Sequence, residues 1–137
     1  MSQTPRGRIA ALAAGALCLA GALALLHLTL PEGVARETVT IAGPGEGALS
    51  VSGDDARRVF YVDSGVVVEL RDLTITHGKS NAGGGLLNYG TLTLERVAVT
   101  NSQADTGGGI LNTQVLTLDG ATVSHNQATT AAGIYTA

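Results

Sequence analysis

The chain has 137 residues, of which 45% are hydrophobic but only 3% aromatic and 14% charged, with 19 glycines, a single Phe and no Trp. That length allows one domain, and that composition excludes an ordinary core centred on aromatic side chains. The formal charge is −3, and beyond residue 35 ten carboxylates face six Lys and Arg, giving −4, so the basic footprint and stacking aromatics of a nucleic-acid binder are missing.

The first predicted element is the apolar run 9–30, which carries no formal charge, follows Arg6 and Arg8, and is closed by Pro31, Glu32 and Gly33. It is apolar on every side, which predicts a hydrophobic helix rather than one face of a surface helix. At about 1.5 Å per residue it reaches roughly 33 Å, enough to cross a bilayer core. Positive charge ahead of it predicts the N-terminus inside and the remainder exported. Two readings stay open. A signal peptide would be cleaved near Ala22-Leu23-Ala24 or Gly33-Val34-Ala35, whereas a retained signal anchor uses the full apolar length. Residues 1–35 are assigned to targeting, with the membrane as partner through 9–30, and residues 36–137 to the exported module. The lone cysteine, Cys18, excludes an internal disulfide framework and a cysteine-based zinc site. It is read as an inert thiol, since Leu17 stands where lipoprotein processing expects a small residue.

From Val59 onward the chain repeats with a 24-residue period: VFYVDSGVVVELRDLTITHGKSNA (59–82), GGGLLNYGTLTLERVAVTNSQADT (83–106) and GGGILNTQVLTLDGATVSHNQATT (107–130). Residues 35–58 form a looser copy in which Leu49 and Val51 keep phase, and AAGIYTA begins a further one. The fourth column reads Val62, Leu86, Ile110, Ile134, the tenth Val68, Leu92, Leu116, and the twelfth Leu70, Leu94, Leu118. Within each copy apolar and polar residues alternate, as in Thr91-Leu92-Thr93-Leu94, the signature of strands with one buried face. Units this short cannot bury their own apolar face, so copies must stack, each strand pairing with its equivalent about 4.8 Å away. The expected fold is all-β: a right-handed parallel β-helix with 24-residue rungs, preceded by one hydrophobic helix. A helical solenoid fails for want of a 3.6-residue period, and a leucine-rich repeat for want of its L-x-x-L-x-L spacing.

The columns also hold the candidate chemistry. Asn88 and Asn112 share one position on adjacent rungs, where amides in register form a structural ladder. Arg71, Glu95 and Asp119 share the thirteenth column and Asp72 and Arg96 the fourteenth. Arg71 over Glu95 and Asp72 over Arg96 are expected as exposed ion pairs that fix register. A sharper reading makes Glu95 and Asp119, with Arg71 nearby, candidate ligand-binding residues, as an acid/base or calcium site on a sugar-binding face. His77 and His125 lie two rungs apart, roughly 9–10 Å, too far to share a metal ion. Tyr89 and Tyr135 fall at different rung positions and are not expected to form a stacking platform. The Gly-Gly-Gly runs at 83–85 and 107–109 are read as tight turns, since neither the helix nor the Lys-Ser/Thr pair of a phosphate loop follows. No catalytic residue, metal or cofactor is assigned.

These starts, GGGLLN and GGGILN, followed by GTLTL or QVLTL and then VAVTNSQA or ATVSHNQA, resemble the right-handed β-helix repeats of bacterial polymorphic outer membrane proteins and related adhesins. Gly107-Gly108-Gly109-Ile110 approximates the Gly-Gly-Ala-Ile-like motif of those repeats, and Val123-Ser124-His125-Asn126 their F-x-x-N motif with Val for Phe. In the preceding copy Asn101 falls one position early. The resemblance covers about residues 36–137 and implies an exported, surface-associated β-helix with an adhesive or carbohydrate-facing role. The few rungs and missing carboxylate cluster add the expectation of a non-enzymatic module, structural, adhesive or glycan-binding, a truncated relative of a longer protein. The alternative is a fragment of a β-helix carbohydrate-active enzyme, lyase or hydrolase. The fourth copy begun at residue 131 is expected to leave an open edge, with three expected outcomes: a fragment of a longer chain, homotypic stacking on a second copy, or aggregation.

Overall fold

The computed structural model describes residues 26–28 and 38–137. They form thirteen strands: β1 (Leu26–Leu28), β2 (Thr38–Ala42), β3 (Ser50–Ser52), β4 (Phe60–Val62), β5 (Val67–Thr76), β6 (Leu86–Asn88), β7 (Thr91–Thr100), β8 (Gln103–Thr106), β9 (Ile110–Asn112), β10 (Val115–Asp119), β11 (Thr122–Ser124), β12 (Gln127–Thr130) and β13 (Ile134–Thr136). All pairings are parallel, and the upper rungs keep the 24-residue period: Leu86 pairs Ile110, Leu92 pairs Leu116, Gln103 pairs Gln127 and Ile110 pairs Ile134. The protein is a parallel β-helix of about four turns.

Three sheets make its faces. The first runs β1-β4-β6-β9-β13, and the second holds β5 and β7 with β2 and β3 on one side and β10 and β11 on the other. The third pairs β8 with β12 and continues to the rung below through the Lys79–Gln103 and Ala82–Thr106 bridges. Each rung from β5 onward turns at three corners held at positive φ between +51° and +64°: Asp72, Arg96 and Gly120; His77, Asn101 and His125; Gly83, Gly107 and Ala131. A left-handed residue swings the strand through a bend and reverses the inside–outside alternation. Buried Leu94 is therefore followed by buried Val97, three positions on across Arg96, where a straight strand would alternate by two. The middle glycine of each Gly-Gly-Gly run is needed for space, since a Cβ on Gly84 would lie 2.4 Å from the Gln103 carbonyl oxygen and 2.5 Å from that of Gly108.

The core is a stack of aliphatic columns, Leu70 beside Leu94 and Ile75 beside Val99, with every one of these side chains at 0% exposure. Asparagine and serine join it where the backbone leaves polar groups inside. The amide of Ser102 donates to Asn126 Oδ1 at 2.9 Å, and the Gly78 amide one rung earlier donates to Ser102 Oγ at 3.1 Å. Ser102 thus fills the motif position that Asn101 misses.

Two departures from the repeat phase lie in the first rungs. Phe60, not Val62, pairs with Leu86, and Val62 pairs with Asn88, because the connection 53–59 is two residues shorter than 77–85 and 101–109. Phe60 is fully buried there and supplies the interior side chain that aliphatics supply above. In the looser copy Val51 pairs with Ile75 in phase, whereas β2 pairs with β5 out of phase, with Thr38 opposite Val67 and Ile41 opposite Leu70. The excess is the loop Gly43-Pro44-Gly45-Glu46-Gly47, which rounds a corner that Asp72 and Arg96 each turn as one residue.

Of the predicted hydrophobic helix at 9–30, only Leu26–Leu28 lies among the described residues, and there the chain is extended: β1 pairs with Phe60–Val62 and occupies that strand's free edge. The remainder of that run, and the proposed cleavage sites, lie outside the described residues. Among the described residues no helix is long and apolar enough to cross a membrane.

Candidate binding groove along the third sheet

The paired asparagines are interior. Asn88 is 0% and Asn112 3% exposed, and Asn88 Nδ2 donates to Asn112 Oδ1 at 2.6 Å, to the Val115 carbonyl at 2.9 Å and to its own turn at Gly90 O at 3.1 Å. The Gly90 amide returns a bond to Asn88 Oδ1 at 3.0 Å. These amides tie consecutive turns together and are out of reach of a ligand.

Arg71, Glu95 and Asp119 are register partners on β5, β7 and β10, but the structure does not join them into one cluster. The Arg71 guanidinium turns along its own strand to Glu69, and Glu95 is taken by Arg96. The expected Arg71–Glu95 pair is therefore corrected to Arg71–Glu69: residues two apart on a strand share a face, and Glu95 is already engaged by Arg96. Arg96 also grips Asp72 on the rung below with two bonds, Nε to Oδ1 at 2.7 Å and Nη2 to Oδ2 at 3.0 Å. That hydrogen-bonded guanidinium holds the Asp72 carboxyl below the usual carboxylate range, and the two carboxylates raise Arg96 in turn. His77 and His125 each sit at a left-handed corner beside a hydroxyl partner, Thr76 Oγ1 at 2.9 Å and Ser124 Oγ at 3.1 Å.

The surface with binding geometry lies elsewhere, on the third sheet. Outward positions there carry Lys79, Gln103 and Gln127 in one column and Asn81, Asp105 and Thr129 in the next, all exposed, while Ser80, Ala104 and Ala128 between them turn inward. Backbone bonds hold the rungs in register: the Gln103 amide donates to Gly78 O and the Gln127 amide to Ser102 O, both at 2.8 Å. The face forms a shallow groove of about 480 Å³, with Ala56 of the 53–59 connection along one side. It continues through Ala56, Lys79, Ser80 and Asn81 into a second hollow of about 600 Å³ lined also by Arg57, Arg58, Ala82, Leu87 and Tyr89.

Tyr89 has a partner that the repeat phase hid. Its ring meets Tyr61 edge to face at 5.7 Å and 62°, because Tyr61 pairs with Leu87 and Tyr89 lies two positions further along the same face. The Arg58 guanidinium stands 5.8 Å from the Tyr61 ring centroid, a cation–π distance. Its Nε and Nη2 donate to Ala82 O, Gly83 O and Ser80 Oγ at 2.8–3.2 Å. Burial lowers the Arg58 pKa, and burial raises that of Tyr61.

The groove residues escaped the sequence reading because outward polar residues resemble any solvated face until strand register places them in columns. Comparison with family models, curated proteins and solved structures gave no match. Among the described residues no cluster of three metal-ligating side chains occurs.

Proposed function

We propose that this chain is an exported cell-surface module whose right-handed parallel β-helix serves a structural and adhesive role, binding glycans along the third sheet. The observation that carries this reading is the ordered row of amides, hydroxyl and charge presented by Gln103, Gln127, Asn81, Asp105 and Thr129 over a continuous groove. Stacked strands space such groups at about 4.8 Å, a repeat suited to the hydroxyl pattern of a short saccharide laid along the axis. A rigid sheet presents them without the ordering cost that loops incur. Among the described residues Asp105 is the only carboxylate in that lining, which favours binding over the paired-carboxylate chemistry of glycoside cleavage. The apolar run 9–30 supports export, as a cleaved signal or retained anchor, and the repeat motifs support kinship with outer-membrane adhesin repeats.

A glycan array probed with the full chain tests the reading. Binding of a defined set of oligosaccharides is expected, weakened about ten-fold by Gln103→Ala with Gln127→Ala at unchanged thermal stability. A blank array would overturn it.

A further inference from the structure

We infer that the hollow formed by Arg57, Arg58, Lys79 and Tyr89 is a subsite for a carboxylate-bearing terminal sugar, with the neutral units of the same oligosaccharide extending along Gln103 and Gln127. The inference rests on the glycan-binding reading and names the ligand class of that surface.

The protein carries −3 overall, yet three of its cations gather around one hollow whose lining, among the described residues, holds no carboxylate. Arg71 and Arg96 are engaged by acids; Arg57, Arg58 and Lys79 form no salt bridge with a described residue. Arg58 is fixed by backbone and hydroxyl acceptors through Nε and Nη2, which places a positive charge there without neutralising it. A carboxylate is the anion that such a held guanidinium and two exposed cations match.

The surroundings then favour a sugar acid over a polyanion. Tyr89, 38% exposed and braced by Tyr61, offers an aromatic surface against which the C–H face of a pyranose packs. Asn81, exposed beside Lys79, supplies an amide group among the cations, while the Ser80 hydroxyl steadies Arg58. Past Lys79 the cations stop, and the groove continues with Asp105 among Gln103, Gln127 and Thr129. A nucleic acid or uniformly charged polysaccharide would meet repulsion at Asp105, whereas an oligosaccharide charged at one end meets cations there and hydrogen-bonding groups beyond.

Calorimetric titration of the full chain with 3′-sialyllactose and with lactose tests the inference. The acidic trisaccharide is expected to bind about ten-fold more tightly or better, with affinity falling as salt rises. The exposed-site double variant Arg57→Gln/Lys79→Gln should erase the preference while thermal unfolding stays unchanged, and Tyr89→Ala should weaken the acidic trisaccharide and leave lactose as it was. Equal binding of the two sugars would overturn the terminal-acid subsite yet leave the glycan reading standing. A preference that survives the double variant would overturn its placement. No binding of either sugar would overturn the inference, and together with a blank array would remove the reading beneath it.

Discussion

Asn88 shows how one polar side chain is made to belong in an apolar stack. It is fully buried, yet its amide group bonds to Gly90, Asn112 and Val115, so truncation leaves several interior polar groups without partners. Asn88→Ala is expected to destabilise the fold by about 2–4 kcal/mol, measured by urea unfolding. The Asp72–Arg96 pair acts at the surface and gives a pH signature instead of a large energy. Its folded carboxyl pKa lies below the ordinary value of 3.8, so the unfolded chain binds the proton first on acidification. The pair therefore stabilises the fold fully above that ordinary value and loses the contribution as pH falls through the depressed folded value. Arg96→Gln should lower the melting temperature at pH 7, and the gap from the parent protein should close under strongly acidic conditions. A gap that persists in acid would contradict this account of the pair. Asn88 and Asn112 were legible as a column because they differ by one repeat, whereas the Arg71 partner was not, since register alone does not decide between Glu69 and Glu95.

Corners explain both the successes and the misses at the level of strands. Alternation within a strand is visible in residues such as Thr91-Leu92-Thr93-Leu94, and the repeat fixes which strand pairs with which from residue 83 onward. In the early rungs a shortened connection at 53–59 and the inserted loop at 43–47 shift the phase, and a column alignment at constant spacing cannot register such changes. That shift concealed the Phe60–Leu86 pairing and the Tyr61–Tyr89 contact together. Corners also divide the glycines by role. Gly84→Ala would drive a Cβ against two carbonyl oxygens, Gln103 O and Gly108 O, and should cost about 3 kcal/mol in thermal or urea unfolding. Gly120 sits at φ +64° with its nearest neighbour at 3.5 Å, in the column where Asp72 and Arg96 adopt the same conformation. Gly120→Asn should accordingly change stability by less than about 0.5 kcal/mol. Comparable losses at the two glycines would contradict the assignment of close approach to one and corner conformation to the other.

Cooperation between rungs governs the molecule as a whole. Leu86, Leu92, Leu94, Val97 and Val99 are fully buried and lie on the strands covered by β9, β10 and β11. Removing residues 107–137 uncovers them, and the shortened chain is expected to lose its cooperative thermal transition; a sharp transition retained by residues 1–106 would contradict that. The solenoid was readable from sequence because burying a repeated apolar column demands a repeat in the chain. The groove was not, because solvent tolerates any polar residue on an outward column and only the assembled sheet shows which ones line up. A saccharide bound to this protein is expected to touch the third sheet and the hollow beside it, and no other face. Residue-resolved NMR of the full ¹⁵N-labelled chain titrated with 3′-sialyllactose should shift the amides of Lys79, Asn81, Gln103, Asp105, Gln127, Thr129 and Tyr89 and leave the Arg71–Glu95–Asp119 corner still. Shifts centred on that corner, or none at all, would contradict it.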